Sequence, residues 1–292
     1  MRLLRSLLFA PANRPDLIEK FLRYEADAYA IDLEDGTPEA EKDVARRDIR
    51  KSVAALRDRG LSGQLFVRTN ELRSKHAEAD LAAALDTPID GILLPKLAAV
   101  EDLRHMLATI AAAEERTGRA LGLIGLIETA VGVLSVEELA REVDRHVWAF
   151  GFGAEDFMTD LGGRRTAEGL EVLYARSRVV LAARAAGIQA IDQVFVGIRD
   201  ADGFLRDAVF GRQLGYTGKM CVTPSQAAVA NDVYAPSPEE IERSRRLIDA
   251  YESAQASGRG VIEFAGQMVD EPLLKRAQAV VRLAAQLGHR AE

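Results

Sequence analysis

Eight times along this chain a short run of Leu, Val, Ile, Phe or Ala is followed by a polar or conformationally restricted residue and then by an alanine-rich stretch with helical spacing. The runs are Ser6–Ala10, Ala28–Leu33, Leu65–Val67, Gly91–Leu94, Leu123–Ile127, Trp148–Phe152, Ala190–Phe195 and Met220–Val222. Near-continuous apolar strands that alternate with helices need cover on both faces, which implies a parallel sheet buried by its own crossover helices. Eight such units in 292 residues, 48% of them hydrophobic, suffice for one large core and predict a (β/α)8 TIM barrel. A doubly wound open sheet is the competing arrangement. The residues that end the runs favour the barrel. Pro11, Asp35, Arg68, Lys96, Glu128, Asp156 and Pro224 stand at or just past the carboxyl end of a run, the rim on which barrels carry their chemistry.

The pattern stops after the eighth run. Ser237-Pro238-Glu239-Glu240 begins a helix whose Ile241, Leu247, Ile248 and Tyr251 recur at helical spacing. Gln255–Gly260 reads as a flexible linker, VIEFAGQMVD as a small strand pair about Gly266, and Pro272 as the start of a last helix running to Ala285. The expected organisation is a barrel domain over 1–232 and a C-terminal extension over 233–292.

Charge and cysteine content narrow the partners. A net charge of −7 with the charges scattered argues against nucleic acid or an anionic membrane surface. The one cysteine, Cys221, excludes an internal disulfide and any multi-cysteine metal site, and its apolar surroundings suit a small core residue better than a nucleophile. The N-terminal apolar run is ended by Pro11 before it reaches signal-peptide length, and no stretch has membrane-spanning length. A cytoplasmic location is therefore expected.

The fifth and sixth runs concentrate the chemistry. Glu128 follows the first of these, and Glu155 and Asp156 follow the second, with a helix between them for which Ser135 is the expected N-cap. Strand, helix, strand predicts neighbouring parallel strands, so these carboxylates emerge at one edge of the sheet. Glu128 and Asp156 are the two carboxylates that Mg²⁺ commonly takes from a protein, leaving its other positions to water and substrate; the competing reading has them cap helices. Arg68 closes the third run with a planar, permanently charged fork suited to a developing enolate or keto oxygen, or else it pairs with Asp35 or Glu34. In IDLED, strict alternation puts Asp32 and Glu34 on one face and Leu33 and Asp35 on the other, so not all three acids can share a role. Lys96 is either a Schiff-base lysine or an ion-pair partner; beside a metal a lysine imine is redundant, which favours the ion pair. Gly151-Phe152-Gly153 either admits close backbone approach of a substrate or marks a bulge. Arg14 and Lys20, after the first run, are candidates for binding phosphates, against the alternative of solvated helix charges.

Taken in order from Arg5 to the last helix, RSLLFAPANRP, DLEDG, VRTN, LPK, IET, GAED, TGKMCVTPSQ and GQMVDEPLLKRA together resemble the citrate lyase β-subunit-like branch of the acyl-CoA lyases, which includes malyl-CoA, methylmalyl-CoA and citramalyl-CoA lyases. The resemblance implies a homotrimeric or hexameric barrel enzyme that uses Mg²⁺, with Mn²⁺ as a substitute, to cleave or form the carbon–carbon bond of a 3-hydroxyacyl-CoA. The products are then an acyl-CoA and a 2-oxo acid such as glyoxylate, pyruvate or oxaloacetate. It assigns the metal to Glu128 and Asp156, the substrate to Arg68, Glu128, Gly153, Ala154 and Glu155, and a place near the metal's waters to Asp35; a CoA substrate would make Arg14 and Lys20 the candidates for its phosphates. It also implies that the C-terminal extension is a lid whose Asp270 closes over the site of a neighbouring subunit. An acid/base from outside the barrel answers a chemical need, because the thioester enolate must gain a proton, two carboxylates hold the metal, and no histidine stands at a strand end. The competing reading has Asp270 as the N-cap of the helix beginning near Pro272. One departure is visible: Thr223-Pro224-Ser225-Gln226 stands where the family commonly has His before Pro-x-Gln. A malyl-CoA thioesterase built on the same site, or a citryl-carrier-protein lyase subunit of a citrate lyase complex, are the alternative activities.

Overall fold

The apolar runs become strands because helices cover one side of each and the facing strands cover the other. In a computed structural model, which describes residues 3–256, 258 and 260–288, the strands are β1 (Ser6–Pro11), β2 (Ala28–Asp32), β3 (Gln64–Arg68), β4 (Gly91–Leu94), β5 (Gly122–Ile127), β6 (Val147–Phe152), β7 (Gln189–Asp192) and β8 (Gly218–Cys221). They pair in sequence order, and β8 pairs in parallel with β1 to close the barrel. Two compact units result, Met1–Asn231 and Asp232–Glu292.

Alternation along the strands decides what reaches the mouth. Leu7, Ala28, Ala30, Phe66, Leu93, Ile124, Leu126, Ala149, Ile191 and Met220 form one buried interior cluster. Two residues further along the same strands, the same parity brings Phe9 and Pro11, Asp32, Arg68, Glu128 and Val222 to the carboxyl-end cavity.

Two local expectations need correction. The helix between β5 and β6 spans Ala130–Arg141 and is capped by Thr129, whose hydroxyl accepts the Gly132 N–H at 3.0 Å; Ser135 lies in mid-helix. β5 ends at Ile127, so the helix starts almost at once, and its first amides find side chains: Ala130 N–H donates to Asp160 at 2.7 Å and Gly132 N–H to Thr129. The seventh run stops at Asp192 rather than Phe195, because the next carbonyls are taken by side chains: Lys219 Nζ donates to the Gln193 carbonyl at 2.8 Å and Gln226 Nε2 to that of Phe195 at 3.0 Å.

Behind β7 and β8 lies a buried ion cluster. Arg176, on the helix Leu170–Ala185, binds Asp192 through Nε at 2.8 Å and through its terminal nitrogen at 2.5 Å, and reaches Asp207 of the helix Ala201–Leu214 at 3.0 Å. Lys219 bridges the same two carboxylates at 3.0 and 2.5 Å. Burial works to raise the Asp207 carboxyl, but Lys219 and Arg176 outweigh it and hold the group below its ordinary range.

The second unit comprises the helix Pro238–Ala256, the antiparallel pair β9 (Ile262–Phe264) and β10 (Gln267–Val269), and the helix Glu271–Gln286. Leu247, Tyr251, Val269 and Ala277 form its core, with Ile248, Ile262, Phe264 and Leu273 packed on them. Ala265 and Gly266 both take positive φ, 50° and 75°, as a two-residue hairpin turn of the I′ class demands. Of the expected linker Gln255–Gly260, Gln255 and Ala256 are still helical, while Ser257 and Arg259 lie outside the described residues. Among the described residues no helix is long and apolar enough to cross a membrane.

Candidate active site

A cavity of about 450 Å³ opens at the carboxyl ends of the barrel strands. Asp32, Asp35, Arg68, Glu128, Glu155 and Asp156 line it, and Phe9, Leu126, Val194, Met220 and Val222 supply apolar lining.

Arg68 is held from two directions. Its Nε and one terminal nitrogen grip Asp32 at 2.7 and 2.6 Å, and the other terminal nitrogen lies 3.0 Å from Glu34. The guanidinium carbon sits 5.4 Å from the centre of the Phe9 ring. Burial works against the charge, but Asp32 and Glu34 prevail and the guanidinium is more firmly protonated than in water. Of the two partners expected for Arg68, Glu34 is present, no ion pair with Asp35 forms among the described residues, and the bidentate partner is Asp32. Asp32 was legible from the parity it shares with Ala28 and Ala30.

The alternation expected through IDLED does not survive past Asp32. The strand ends there, and the Asp32 carboxylate accepts the N–H groups of Glu34 at 2.9 Å and Gly36 at 2.8 Å, turning the chain. Asp32 and Asp35, expected on opposite faces, therefore both line the cavity, and Glu34 reaches Lys96 and Arg68. Gly36 is required by this turn, since a Cβ there would collide with the Asp32 carboxylate. Beneath the turn, Lys42 Nζ donates to the carbonyls of Leu33 and Glu34 and to Asn70 Oδ1 at 2.6, 2.8 and 2.9 Å, which fixes its backbone.

Glu128 is 2% exposed. Its Oε1 accepts the Lys96 backbone N–H at 2.8 Å, and its carboxylate packs where Gly153 leaves space. Burial, then the charges of Glu34 and Asp156, push its pKa up to about 8. Burial likewise lifts Glu34 to about 7, against the pull of Arg68 and Lys96. Lys96 Nζ lies 2.7 Å from Glu34 and 3.4 Å from Asp156, so the ion-pair reading of this lysine is the one its contacts support. Gly153 occupies the N-cap position of the helix Ala154–Leu161, and Glu155, on its first turn, accepts from Arg165 at 3.1 Å.

A metal has to fit this donor set. Among the described residues no group of three or more His, Cys, Asp or Glu is arranged to hold one. Glu128 and Asp156 nevertheless share the cavity, and the Asp156 charge adds to burial and to Glu34 in raising the Glu128 pKa. A hard divalent cation that needs two protein carboxylates and completes its shell with water and substrate fits that arrangement.

Arg14 and Lys20 are not among the residues that line the cavity. Arg14 grips Asp16 at 2.8 and 2.9 Å, and Lys20 stands 4.0 Å from the same carboxylate; both are surface ion pairs. Asp270 occupies the N-cap position of the helix Glu271–Gln286, but its side chain makes no capping bond, and its Oδ1 is buried without a partner among the described residues. The capping reading is therefore not supported. Thr223 accepts the Gln226 N–H at 3.2 Å and lies 3.0 Å from the Ser225 hydroxyl, which makes it a helix-start cap. Burial pushes the Cys221 thiol up to about 12, the state of a core residue rather than a nucleophile.

Compared with known proteins, residues 5–224 match the HpcH/HpaI aldolase/citrate lyase family. A citrate lyase subunit beta-like protein of Deinococcus radiodurans is 43% identical over 283 residues, 96% of either chain. The mitochondrial citramalyl-CoA lyase of Homo sapiens is 34% identical over 291 residues, covering 96% of this chain and 85% of that one. Among solved structures, CitE of Mycobacterium tuberculosis in complex with magnesium, acetoacetate and coenzyme A aligns with a TM-score of 0.78 and 32% identity, over 96% of this chain and 97% of that one.

Proposed function

The chain belongs to the HpcH/HpaI aldolase/citrate lyase family; we propose that it is a magnesium-dependent lyase whose substrate is a 3-hydroxyacyl-CoA of the malyl-CoA or citramalyl-CoA type, cleaved to or formed from a 2-oxo acid and an acyl-CoA. The observation that carries this reading is the pairing, in one cavity, of a doubly clamped Arg68 with the buried carboxylate of Glu128 beside Asp156.

In this reading Glu128 and Asp156 would hold Mg²⁺, with Mn²⁺ as a substitute, and Asp35, which lines the same cavity, would stand near its waters. The ion, when bound, supplies Lewis-acid stabilisation to an alkoxide or enolate oxygen. Arg68 adds a fixed positive charge on the same oxygen's path, and because Asp32 and Glu34 already hold the fork, little reorganisation accompanies the reaction. Backbone amides of Ala154 and Glu155, at the start of a helix, receive the carboxylate of the 2-oxo acid, beside Gly153, whose own N–H is donated to the Ile127 carbonyl at 3.2 Å. Phe9, Val194 and Met220 keep water from the enolate, favouring carbon–carbon chemistry over thioester hydrolysis. Arg14 and Lys20 are the candidates for the CoA phosphates, in exchange for Asp16.

The proton for the enolate comes from Asp270. Its unpartnered Oδ1 supports a carboxylate kept for another use. The tail, residues 233–292, then acts as a lid on the barrel of a neighbouring copy in a homotrimer or hexamer, in the cytoplasm. A second reading, a subunit acting on a carrier-protein thioester, is favoured by the full-length match to citrate lyase subunit beta of Escherichia coli, 35% identical over 291 residues.

The test is product analysis of the purified chain with malyl-CoA, citramalyl-CoA, citryl-CoA and a citryl-carrier protein, with Mg²⁺ and with EDTA. Equal amounts of 2-oxo acid and acyl-CoA, only with metal and not from Asp156→Ala, are expected. Free CoA with intact hydroxy acid would make the protein a thioesterase, and turnover of the carrier ester alone would make it a citrate lyase subunit. Full activity in EDTA would sink the metal assignment.

A further inference from the structure

Lys96 touches three carboxylates, Glu34, Glu128 and Asp156, the last two of which line the cavity. It takes a φ of +50°, a left-handed conformation that residues with a Cβ seldom adopt. That conformation accompanies a backbone N–H donated to Glu128 Oε1 at 2.8 Å and an ammonium 2.7 Å from Glu34 Oε1 and 3.4 Å from Asp156 Oδ1. The two ends of the residue therefore serve different acids. The backbone bond orients Glu128. The ammonium neutralises a cluster whose members otherwise repel one another.

The two ammonium contacts differ in how easily they are given up. Glu34 is 6% exposed and keeps Arg68 at 3.0 Å as a second cation. Asp156 is 32% exposed, and its contact with Lys96 is the longer of the two.

We propose that the Lys96 ammonium is the built-in counter-ion of the metal site: it holds Asp156 before a divalent cation binds and yields that carboxylate to the cation. This deepens the reading above, since it rests on Glu128 and Asp156 as the metal ligands. A fixed positive charge beside the site lowers its affinity for a second cation, so Mg²⁺ binds as an exchangeable partner rather than as a permanent structural ion.

Calorimetric titration of the full chain with MgCl₂ tests this without reference to turnover. Lys96→Met, which removes the charge but keeps the backbone, should bind Mg²⁺ on the order of tenfold more tightly than the wild type. Its melting temperature should be lower without metal and should rise more on adding Mg²⁺; a merely structural lysine would lower both temperatures alike. Lys96→Arg, which restores the charge, should return the affinity towards wild type. If Lys96→Met does not fold without metal, Lys96→Gln keeps a donor for Glu34 and takes its place. Folding of either neutral variant only in Mg²⁺ gives the same positive answer. Equal or weaker Mg²⁺ binding by a folded neutral variant overturns the proposal, as does failure of both neutral variants to fold in any condition. Loss of Mg²⁺ binding in Asp156→Ala separates the two levels: if that variant binds as the wild type does, the ligand assignment itself fails, and the lysine is not the cause.

Discussion

Replacing Gly153 by Ala tests whether the position of Glu128, rather than its mere presence, makes the site. Gly153 has φ −97° and ψ 91°, a conformation open to alanine, so the substitution introduces no backbone strain of its own. The added Cβ would stand 2.6 Å from Glu128 Cβ and 3.1 Å from its carboxyl carbon. Carbon atoms rest at roughly 3.5–4.0 Å, so Glu128 has to recede by about 1 Å, and at 2% exposure it has no solvent to swing into. Overpacking of this kind costs about 1–3 kcal/mol, which urea denaturation will show as a lowered midpoint in a protein that still folds. A displacement of about 1 Å in a reacting group costs on the order of 10²-fold in rate. The expected variant therefore binds Mg²⁺ more weakly by calorimetry and loses about two orders of magnitude in kcat/KM in the lyase assay. Wild-type metal affinity together with wild-type kcat would show that Glu128 tolerates the shift, and the reasoning from its packing would fail.

Arg68→Lys should lower kcat by on the order of 10²-fold while KM changes little, because an ammonium cannot keep both Asp32 contacts and still face substrate; steady-state kinetics with an unchanged kcat would remove Arg68 from the chemistry. Asp270→Asn should bind substrate and metal but lose turnover, and mixed oligomers of Asp270→Asn with Arg68→Ala should recover part of the activity if the tail serves a neighbour. Lack of recovery in demonstrably mixed oligomers would confine the tail to its own barrel. Cys221 should resist iodoacetamide at pH 8 in the folded chain and label once in denaturant, since a pKa raised from 9.0 to about 12 cuts the thiolate by about a thousandfold; rapid labelling of the native protein would contradict its burial.

The barrel was legible because its strands are buried on both faces and so appear as unbroken apolar runs, and because a polar residue ends most of them. What sequence could not supply was the path of the chain once hydrogen-bonded pairing stops. Strand alternation predicts opposite faces for Asp32 and Asp35, yet the Asp32 side chain captures two backbone amides and turns the chain, so alternation ceases to hold. The same limit made the seventh strand too long, since Lys219 and Gln226 claim its next carbonyls from far along the sequence. Lys96 could be named an ion-pair partner from chemistry alone, but its left-handed backbone and its bond to Glu128 arise only when β4 and β5 lie side by side.

The ion cluster behind β7 and β8 also bears on how the barrel is closed. A ring of strands has two raw edges until its last member is in place, here β1 and β7, and exposed edges invite pairing with other chains. β8 joins them, yet it meets β7 through only two registered pairs, Ile191 with Gly218 and Asp192 with Lys219. Without β8, Asp192, Asp207 and Arg176 would leave an uncompensated negative charge at that seam; Lys219, carried by the closing strand, completes the balance. The keystone of this ring is thus an electrostatic latch, recognised by charge where backbone pairing is thinnest. A nascent chain that has not yet delivered residues 218–221 presents an open, sticky sheet with its latch unset.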